Sequence, residues 1–181
     1  MDKYVFYDAD LSGFEEYDIQ GEAYETLIRT CCQHSSVLYL KYTWPESPMA
    51  KVLEPFEIER PPEILEDPWS GQAPPIEYLS DCSVEEIAKL TWYKKRYYRV
   101  CPELCDLLLR TASGIFAWMN GRGFNNPEDP IFYRSDGTVF FDSEIHEGVC
   151  AITPRPDENV DALLQAVDWL SGDDIRFFPP I

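Results

Sequence analysis

Polar side chains that could take part in catalysis are concentrated in one stretch, IFYRSDGTVFFDSEIHEG, at residues 131–148. Asp142, Glu144 and His146 stand at alternate positions there, so an extended strand projects all three from one face. Two carboxylates and an imidazole are groups that enzymes use for general acid–base catalysis or for binding a metal ion. Arg134 could reach the same place from the adjacent turn. These four residues are therefore the candidate catalytic residues.

The spacing of these residues argues against a shared metal ion. Alternate residues of a strand are about 6.6–7 Å apart, which is long for ligands of one ion. Cys101 and Cys105 stand at half of a zinc-site spacing, but no second pair of ligands follows, and the only histidines are His34 and His146. We predict no metal and no cofactor, and a solvated polar rim is the simpler interpretation of the stretch.

Asp136-Gly137 predicts how the strands of this stretch are connected. Between two runs of alternating apolar residues, this dipeptide is typical of a two-residue hairpin loop of type I′. Such a loop sets the facing pairs Ser135–Thr138, Arg134–Val139, Tyr133–Phe140 and Phe132–Phe141. A second two-residue turn at Glu147-Gly148 would pair Ile145 with Cys150 and Ser143 with Ile152.

The two turns agree on which side chains face the core. The apolar face would hold Phe132, Val139, Phe141, Ser143, Ile145, Cys150 and Ile152. The polar face would hold Tyr133, Phe140, Asp142, Glu144 and His146. This agreement favours a three-stranded antiparallel meander over an active-site loop.

Periodicity elsewhere predicts the elements that surround the meander. Apolar residues at helical spacing predict helices over 22–33, 102–119 and 157–170, and a capping-box pattern at Ser83 opens a short helix that ends near Leu90. Stretches rich in β-branched and aromatic residues predict strands over 36–44 and 92–100. The sequence thus predicts an α+β fold: a mostly antiparallel sheet with a C-terminal three-stranded meander, covered by three or four helices, in a single domain of residues 1–181.

A proline-rich segment at about 45–78 interrupts these elements, because proline is excluded from the interior of long helices and central strands. Its apolar residues are too many for a disordered linker, so we predict an ordered excursion that packs over the domain. Long ordered loops often carry function, which makes this segment a candidate binding surface.

Charge restricts the class of partner. The chain has 33 acidic and 15 basic residues, a formal net charge of -18, and residues 1–90 alone hold 19 of the acids and 6 of the bases. Phosphate binding needs a basic face, so we exclude nucleic acid as a partner. The stretch TWYKKRYYRV at 91–100 interleaves aromatic and basic residues, as proteins that bind single-stranded nucleic acid do. The simpler interpretation is that its basic residues pair with acidic residues of the same chain.

The cellular compartment follows from segments that the chain lacks and from its cysteines. The first residues, MDKYVFYDADLSGFEEYD, are acidic where a secretory signal would be basic and then apolar, and no apolar run reaches the roughly 20 residues of a membrane span. We expect a cytoplasmic protein without a membrane association. The six cysteines are then expected to be free thiols.

Pro127-Glu128-Asp129-Pro130, Phe132-Tyr133-Arg134, Asp136-Gly137, Ser143 and His146-Glu147 together resemble a pattern of small bacterial proteins. Those proteins carry PED, FYR, DG and S-x-x-H-E at similar spacings. The resemblance covers residues 127–148 and implies no known activity.

Two function classes fit these observations, and charge that serves only solubility is a third interpretation. The first class is a non-enzymatic interaction protein, an inhibitor or immunity-type protein whose acidic surface occludes a basic partner protein such as a nuclease toxin. The second is a small hydrolase-like or metal-dependent enzyme around Asp142, Glu144 and His146. We favour the first class, for which the candidate interaction residues are Glu15, Glu16, Asp18, Trp69 and Glu147.

Overall fold

The computed structural model describes residues 2–7, 18–42, 47–65, 94–118, 120–121 and 124–171. The predicted helix at 83–90 and the interaction candidates Glu15, Glu16 and Trp69 lie outside these residues. The prediction for the proline-rich segment is covered only over 47–65.

Ten strands and four α-helices occur within the described residues. The strands are β1 (Tyr4–Tyr7), β2 (Val37–Tyr42), β3 (Glu57–Ile58), β4 (Lys94–Arg99), β5 (Asn120–Gly121), β6 (Phe124–Asn125), β7 (Glu128–Tyr133), β8 (Val139–Glu144), β9 (Val149–Ile152) and β10 (Leu170–Ser171). The helices are α1 (Gly21–His34), α2 (Pro48–Leu53), α3 (Pro102–Thr111) and α4 (Asp161–Ala166). Short 3-10 helices span Glu54–Phe56, Ile115–Ala117 and Ile145–Glu147.

Eight strands form one antiparallel sheet in the order β10-β1-β9-β8-β7-β2-β4-β3, while β5 and β6 pair separately. The sheet is not closed, and within the described residues its edges are β10 and β3. This confirms the α+β prediction and the meander β7-β8-β9. The predicted helix at 22–33 and the strands at 36–44 and 92–100 correspond to α1, β2 and β4.

The main core lies between the sheet and the helices α1, α3 and α4. Helix α1 buries Tyr24, Leu27, Ile28 and Cys31, which recur at helical spacing and form one apolar stripe. They pack with side chains of α3, α4 and the meander, among them Leu108, Leu163, Phe132, Phe141 and Ile152. The helices therefore cover one face of the sheet, as predicted.

The opposite face of the sheet, called here the second face, carries smaller apolar clusters. Val37, Tyr39 and Ile131 are buried there beneath Ile64, which follows β3 in the chain. Val5, Val149 and Ala151 form a separate buried cluster on β1 and β9. Both faces of β2 are thus buried, which explains why its sequence, VLYLKY, shows no alternation of apolar and polar residues.

The described part of the proline-rich segment, residues 47–65, packs against the sheet; the prediction for the whole segment stays a prediction. Ser47 caps α2 by accepting a hydrogen bond from Met49 N (3.3 Å), and Pro48 occupies the first turn, where its missing N–H costs nothing. Strand β3 then pairs with β4, and Ile64 packs on the second face.

The first hairpin loop contains three residues, so the prediction of a two-residue type I′ loop was wrong. Arg134 N donates to Thr138 O (2.8 Å) and Gly137 N donates to Arg134 O (3.0 Å), while Gly137, but not Asp136, has a positive φ, at +80°. A type I turn followed by a left-handed glycine produces this geometry. A Cβ on Gly137 would also lie 2.0 Å from Glu63 O, so the turn needs glycine.

A register shift in β8 then restores part of the predicted pairing. Phe132 faces Phe141 as predicted, but Tyr133 faces Val139, so the predicted partners Tyr133–Phe140, Arg134–Val139 and Ser135–Thr138 were wrong. The irregularity turns Phe140 into the main core and Val139 onto the second face, the reverse of the prediction. Tyr133, predicted to be solvated, is buried on the second face.

The second connection of the meander is also longer than predicted. The chain passes through a 3-10 helix at Ile145–Glu147 and a left-handed Gly148 (φ +64°) before β9 begins. Ser143 therefore faces Cys150, and Phe141 faces Ile152, a shift of two residues from the predicted pairs. Because side chains alternate with period two, a shift of two keeps Cys150 and Ile152 in the main core, as predicted.

Helices α3 and α4 are shorter than their sequence patterns predicted. Helix α3 ends at Thr111, where Ala112 turns extended, and Gly114 then bridges to Gln20. A Cβ on Gly114 would lie 2.0 Å from the Asp18 carboxylate, so a larger residue would require Asp18 to move. Residues 157–160 precede α4 because the Glu158 carboxylate accepts from Arg155 N and from Arg134, and Leu170 joins β10. Tertiary contacts thus end α3 earlier, and make α4 begin later and end earlier, than the helical periodicity predicts.

Among the described residues, no helix has the length and apolar character needed to cross a membrane. Cys31, Cys32, Cys101, Cys105 and Cys150 are free thiols, and Cys82 lies outside the described residues. Burial raises the pKa of the Cys31 and Cys150 thiols, so these two are side chains of the core rather than nucleophiles.

Candidate functional site

A row of charged side chains crosses the second face on the adjacent strands β8, β7 and β2. It consists of Glu144, Glu128, Asp129 and Lys41 and is called here the charged row. Lys41 and Glu128 are directly opposed in the β2–β7 ladder, with Lys41 Nζ 3.7 Å from Glu128 Oε2. Lys41 also forms an ion pair with the Asp129 carboxylate. All three of these side chains are at least nine-tenths buried, which is unusual for charged groups.

Asp129 holds a backbone conformation that few residues other than glycine adopt. Its φ is +51°, and the β2–β7 register shifts beside it, between Tyr39 and Lys41. The side chain holds the conformation in place, because Oδ1 accepts a hydrogen bond from Ile145 N (2.9 Å) while the other oxygen contacts Lys41. Strained backbone at a buried ionised residue is concentrated at functional sites.

Asp142 lies on β8 two residues before Glu144 of the charged row, and both carboxylates are energetically unfavourable in their ionised form. Burial raises the pKa of Asp142, and Lys3 only partly opposes that effect. Burial also raises the pKa of Glu144, and the negative charges of Asp129, Glu147 and Asp142 raise it further against the attraction of Lys41. At Glu144 the repulsion by the neighbouring carboxylates therefore outweighs the attraction of Lys41.

Arg134, the fourth catalytic candidate, lies at the opposite end of the β7–β8 hairpin from Glu144. Its guanidinium donates to Glu158 through Nε and Nη2 (2.6 and 2.7 Å) and to the carbonyls of Val139 and Thr153 (2.6 and 2.7 Å). The structure thus places Arg134 in a hydrogen-bonded network of its own, away from Asp142 and Glu144.

The remaining sequence-derived candidates occupy different places. His146 lies in the 3-10 helix that follows Glu144, and its side chain is outside the described atoms. Glu147, in the same helix, is exposed. Asp18 lies just before α1, where Oδ1 accepts a hydrogen bond from Phe116 N (3.1 Å). Ser143 faces the main core side and donates to Pro130 O (2.9 Å), so it ties β8 to β7.

Lys41, Glu128 and Asp129 were not among the residues nominated from the sequence. Glu128 and Asp129 belong to the Pro-Glu-Asp-Pro motif, which carries part of the resemblance at residues 127–148, but no functional role was predicted for them. Lys41 is the one charged residue in the strand VLYLKY, and a lone charge within a strand buried on both faces indicates a buried partner. That signal could have identified the cluster.

The chemistry open to this arrangement is the binding of a positively charged group. Among the described side chains, no set of three or more His, Cys, Asp or Glu residues has the geometry of a metal site. The carboxylates of Asp142 and Glu144 can instead accept hydrogen bonds from an ammonium or guanidinium group, which would also stabilise their ionised forms.

Comparison with other proteins gives no further information on the function of this site. No protein-family model matches the chain, and neither a curated protein nor a solved structure is similar to it.

Proposed function

We propose that this protein is a non-enzymatic interaction protein of the inhibitor or immunity type, which uses an acidic surface to bind a basic partner protein in the cytoplasm. One observation carries the proposal: Asp142 and Glu144 are carboxylates whose pKa values are raised by burial and by neighbouring negative charge. The overall charge of -18 gives the rest of the molecule the same sign.

A cationic side chain of a partner would relieve this unfavourable electrostatic arrangement. Burial and repulsion disfavour the ionised carboxylates in the free protein, whereas a lysine or arginine placed against them favours ionisation. Near the raised pKa values binding should therefore release protons, and affinity should fall as the pH is lowered through that range. Glu147, Asp18, Glu15, Glu16 and Trp69 remain the further candidates for contact with the partner.

The net charge contributes mainly to the rate of encounter. An acidic molecule attracts a basic one over about a Debye length, about 10 Å at 0.1 M salt, so association should slow as salt is added. The carboxylates on the second face would determine how long the complex lasts, because close charge pairs act chiefly on dissociation.

The experiment is affinity capture at low and high salt, followed by measurement on the purified partner. The tagged chain is incubated with lysate at about 0.05 M salt and eluted at about 0.5 M salt. Basic proteins found only in the eluate are purified and titrated by calorimetry in two buffers of different ionisation enthalpy, which counts the protons released on binding.

The decisive variant is Asp142→Asn combined with Glu144→Gln. It should weaken binding by at least about 10-fold and abolish proton release. The matched control, Glu22→Gln with Asp106→Asn, removes the same charge from exposed positions of α1 and α3 on the other side of the sheet. It should change affinity by less than about 3-fold. Equal losses in the two variants, or affinity independent of salt, would disprove the proposal.

A second candidate function is an enzyme, which the strained Asp129 and the buried Lys41 favour. This is the hydrolase-like or metal-dependent alternative, with acid–base groups drawn from Asp142, Glu144 and His146. It predicts turnover of a model ester or phosphate ester, with or without added divalent metal, that is lost in Glu144→Gln and His146→Ala. If neither turnover nor salt-dependent binding is found, the interpretation of the charge as a solubility feature would remain.

A further inference from the structure

A cavity of about 490 Å³ lies at the edge of the sheet formed by β1 and β10, away from the charged row. Its walls come from β1, the start of α1 and the end of α4. The volume is within the range of about 300–1,000 Å³ that is typical of small-molecule sites. None of the catalytic candidates lines it.

One side of the cavity is apolar and held firmly in place. Phe6 packs against Phe116 (ring centroids 6.2 Å apart) and edge-on against Trp169 (6.4 Å). Ile19 and Val167, which also line the cavity, are buried in the main core. An apolar surface fixed by such contacts is preformed, so a ligand would lose little free energy in ordering it.

Among the described residues that line the cavity, the two charged side chains are both acidic. Asp18 and Asp168 line it, and the described lining residues include no lysine, arginine or histidine. Asp18 is held on the wall by the hydrogen bond that it accepts from Phe116 N (3.1 Å). Aspartates are negatively charged at neutral pH, so this cavity favours a cationic ligand and disfavours an anionic one.

We propose that this cavity binds a small apolar amine in its protonated form. The apolar body of the ligand would lie against Phe6, Ile19 and Val167, and its ammonium group would interact with Asp18 and Asp168. Few polar groups within a mostly apolar concave surface are the usual composition of a specific small-molecule site. The site lies at the β1–β10 edge rather than beside Asp142 and Glu144, and it shares Asp18 with the candidate partner contacts. Binding of a small amine is measured on the protein alone, so its outcome does not depend on whether a partner protein exists.

Three probes of similar size and different charge test the proposal. They are 2-phenylethylamine, 2-phenylethanol and 3-phenylpropanoate, titrated at neutral pH and low salt with chemical shifts as the readout. The amine should saturate with a Kd of about 1 mM, which is usual for a ligand of this size. The alcohol should bind at least about 5-fold more weakly, and the carboxylate should not saturate by about 10 mM.

Variants locate the binding within the cavity. Asp168 is exposed, so Asp168→Asn should leave the fold intact while weakening the amine by at least about 5-fold and leaving the alcohol unchanged. Asp157→Asn removes the same charge from an exposed position outside the cavity and should have little effect on the amine. Ala166→Trp places a large side chain at the rim and should reduce the binding of amine and alcohol alike.

Three results would overturn the proposal. The first is the absence of saturable amine binding by about 10 mM, the second is equal affinity for the amine and the carboxylate, and the third is the same effect from Asp168→Asn and Asp157→Asn. Folding of each variant is checked by its thermal unfolding, so that a lost signal cannot be confused with a lost structure.

Discussion

A buried ionic cluster lies at each end of strand β7, and the two clusters differ in how their charges are balanced. After its C-terminal end, Arg134 meets Glu158 in a bidentate ion pair and also donates to two backbone carbonyls. At its N-terminal end, Lys41 meets two carboxylates, Glu128 and Asp129, with Glu144 close by. We call the first the arginine cluster.

The arginine cluster is satisfied on every side. The guanidinium also lies over the Phe140 ring (5.3 Å to the centroid), and the Glu158 carboxylate accepts a further hydrogen bond from Arg155 N (2.7 Å). Burial alone would raise the pKa of Glu158, but the hydrogen bonds from Arg134 and Arg155 outweigh it and lower the pKa. A network that favours its own ionised state stabilises the fold and has no unfavourable charge for a ligand to relieve.

The charged row instead has excess negative charge and a strained backbone at Asp129, and its neighbours raise the pKa of Glu144. The difference teaches that burial of an ion pair does not by itself indicate function. An arrangement that remains unfavourable in the free protein is the one that a ligand or partner can improve. On this ground the candidate site is placed around Glu144 rather than around Arg134.

The largest effect should come from breaking the arginine cluster. Arg134→Met would remove the guanidinium that donates to Glu158 and to the carbonyls of Val139 and Thr153. Glu158 would keep its backbone donor, Arg155 N, but would lose its buried cation, so the free energy of unfolding should fall by about 3–5 kcal/mol. Urea denaturation measures the loss. The control Arg155→Gln removes a partly exposed arginine that pairs with Asp136 and should cost less than about 1 kcal/mol. Similar losses of stability in both variants would show that the buried arginine cluster is no more important to the fold than an exposed ion pair.

The next largest effect should come from removing the only cation of the charged row. Lys41→Met would remove the buried ammonium group that contacts Glu128 and Asp129 and should lower the free energy of unfolding by about 2–4 kcal/mol at neutral pH. Adding Asp129→Asn should rescue part of the stability, since asparagine tolerates positive φ and can still accept from Ile145 N. No rescue in the double variant would show that Asp129 and Lys41 are not coupled.

Titration should separate the two clusters directly. In a carbon-detected NMR titration, Glu158 should titrate below the ordinary range of glutamate and Glu144 above it. Lys41→Met should move the titration of Glu144 further upwards, because it removes the opposing positive charge, and should leave Glu158 unchanged. A shift of both residues would mean that the change in net charge, rather than local contact, governs them.

The smallest effect should come from removing the charges of Asp142 and Glu144. The pKa values of these two carboxylates are raised, whereas that of Glu158 is lowered, so their effect on stability has the opposite sign. A carboxylate with a raised folded pKa lowers stability at neutral pH, and the penalty disappears as the pH falls through that pKa towards the unfolded value. Asp142→Asn with Glu144→Gln should therefore raise the free energy of unfolding by up to about 1 kcal/mol at neutral pH and by nothing in acid. A loss of stability at neutral pH would show that the charges are compensated in the folded protein.

The elements closest to their local pattern could be predicted from the sequence alone. Helix α1 follows its stripe of apolar residues, and β2 and β4 follow their content of β-branched and aromatic residues. The meander was predictable because period-two alternation survives an error of two residues in register, so Cys150 and Ile152 still reach the main core. Asp142 and Glu144 could be nominated for the same reason, since alternation places them together on one face.

Tertiary structure decided what no local pattern contains. Strand β1 lies between β9 and β10, which brings residues 4–7 and 170–171 into one sheet. Phe140 faces the core because β8 shifts register beside the loop. Helix α3 ends early because Ile115 N donates to Ile19 O and Gly114 packs against Asp18. The charged row joins Lys41 to residues almost ninety positions away. Such long-range pairs are chosen by packing and charge balance in three dimensions, which a one-dimensional periodicity does not encode.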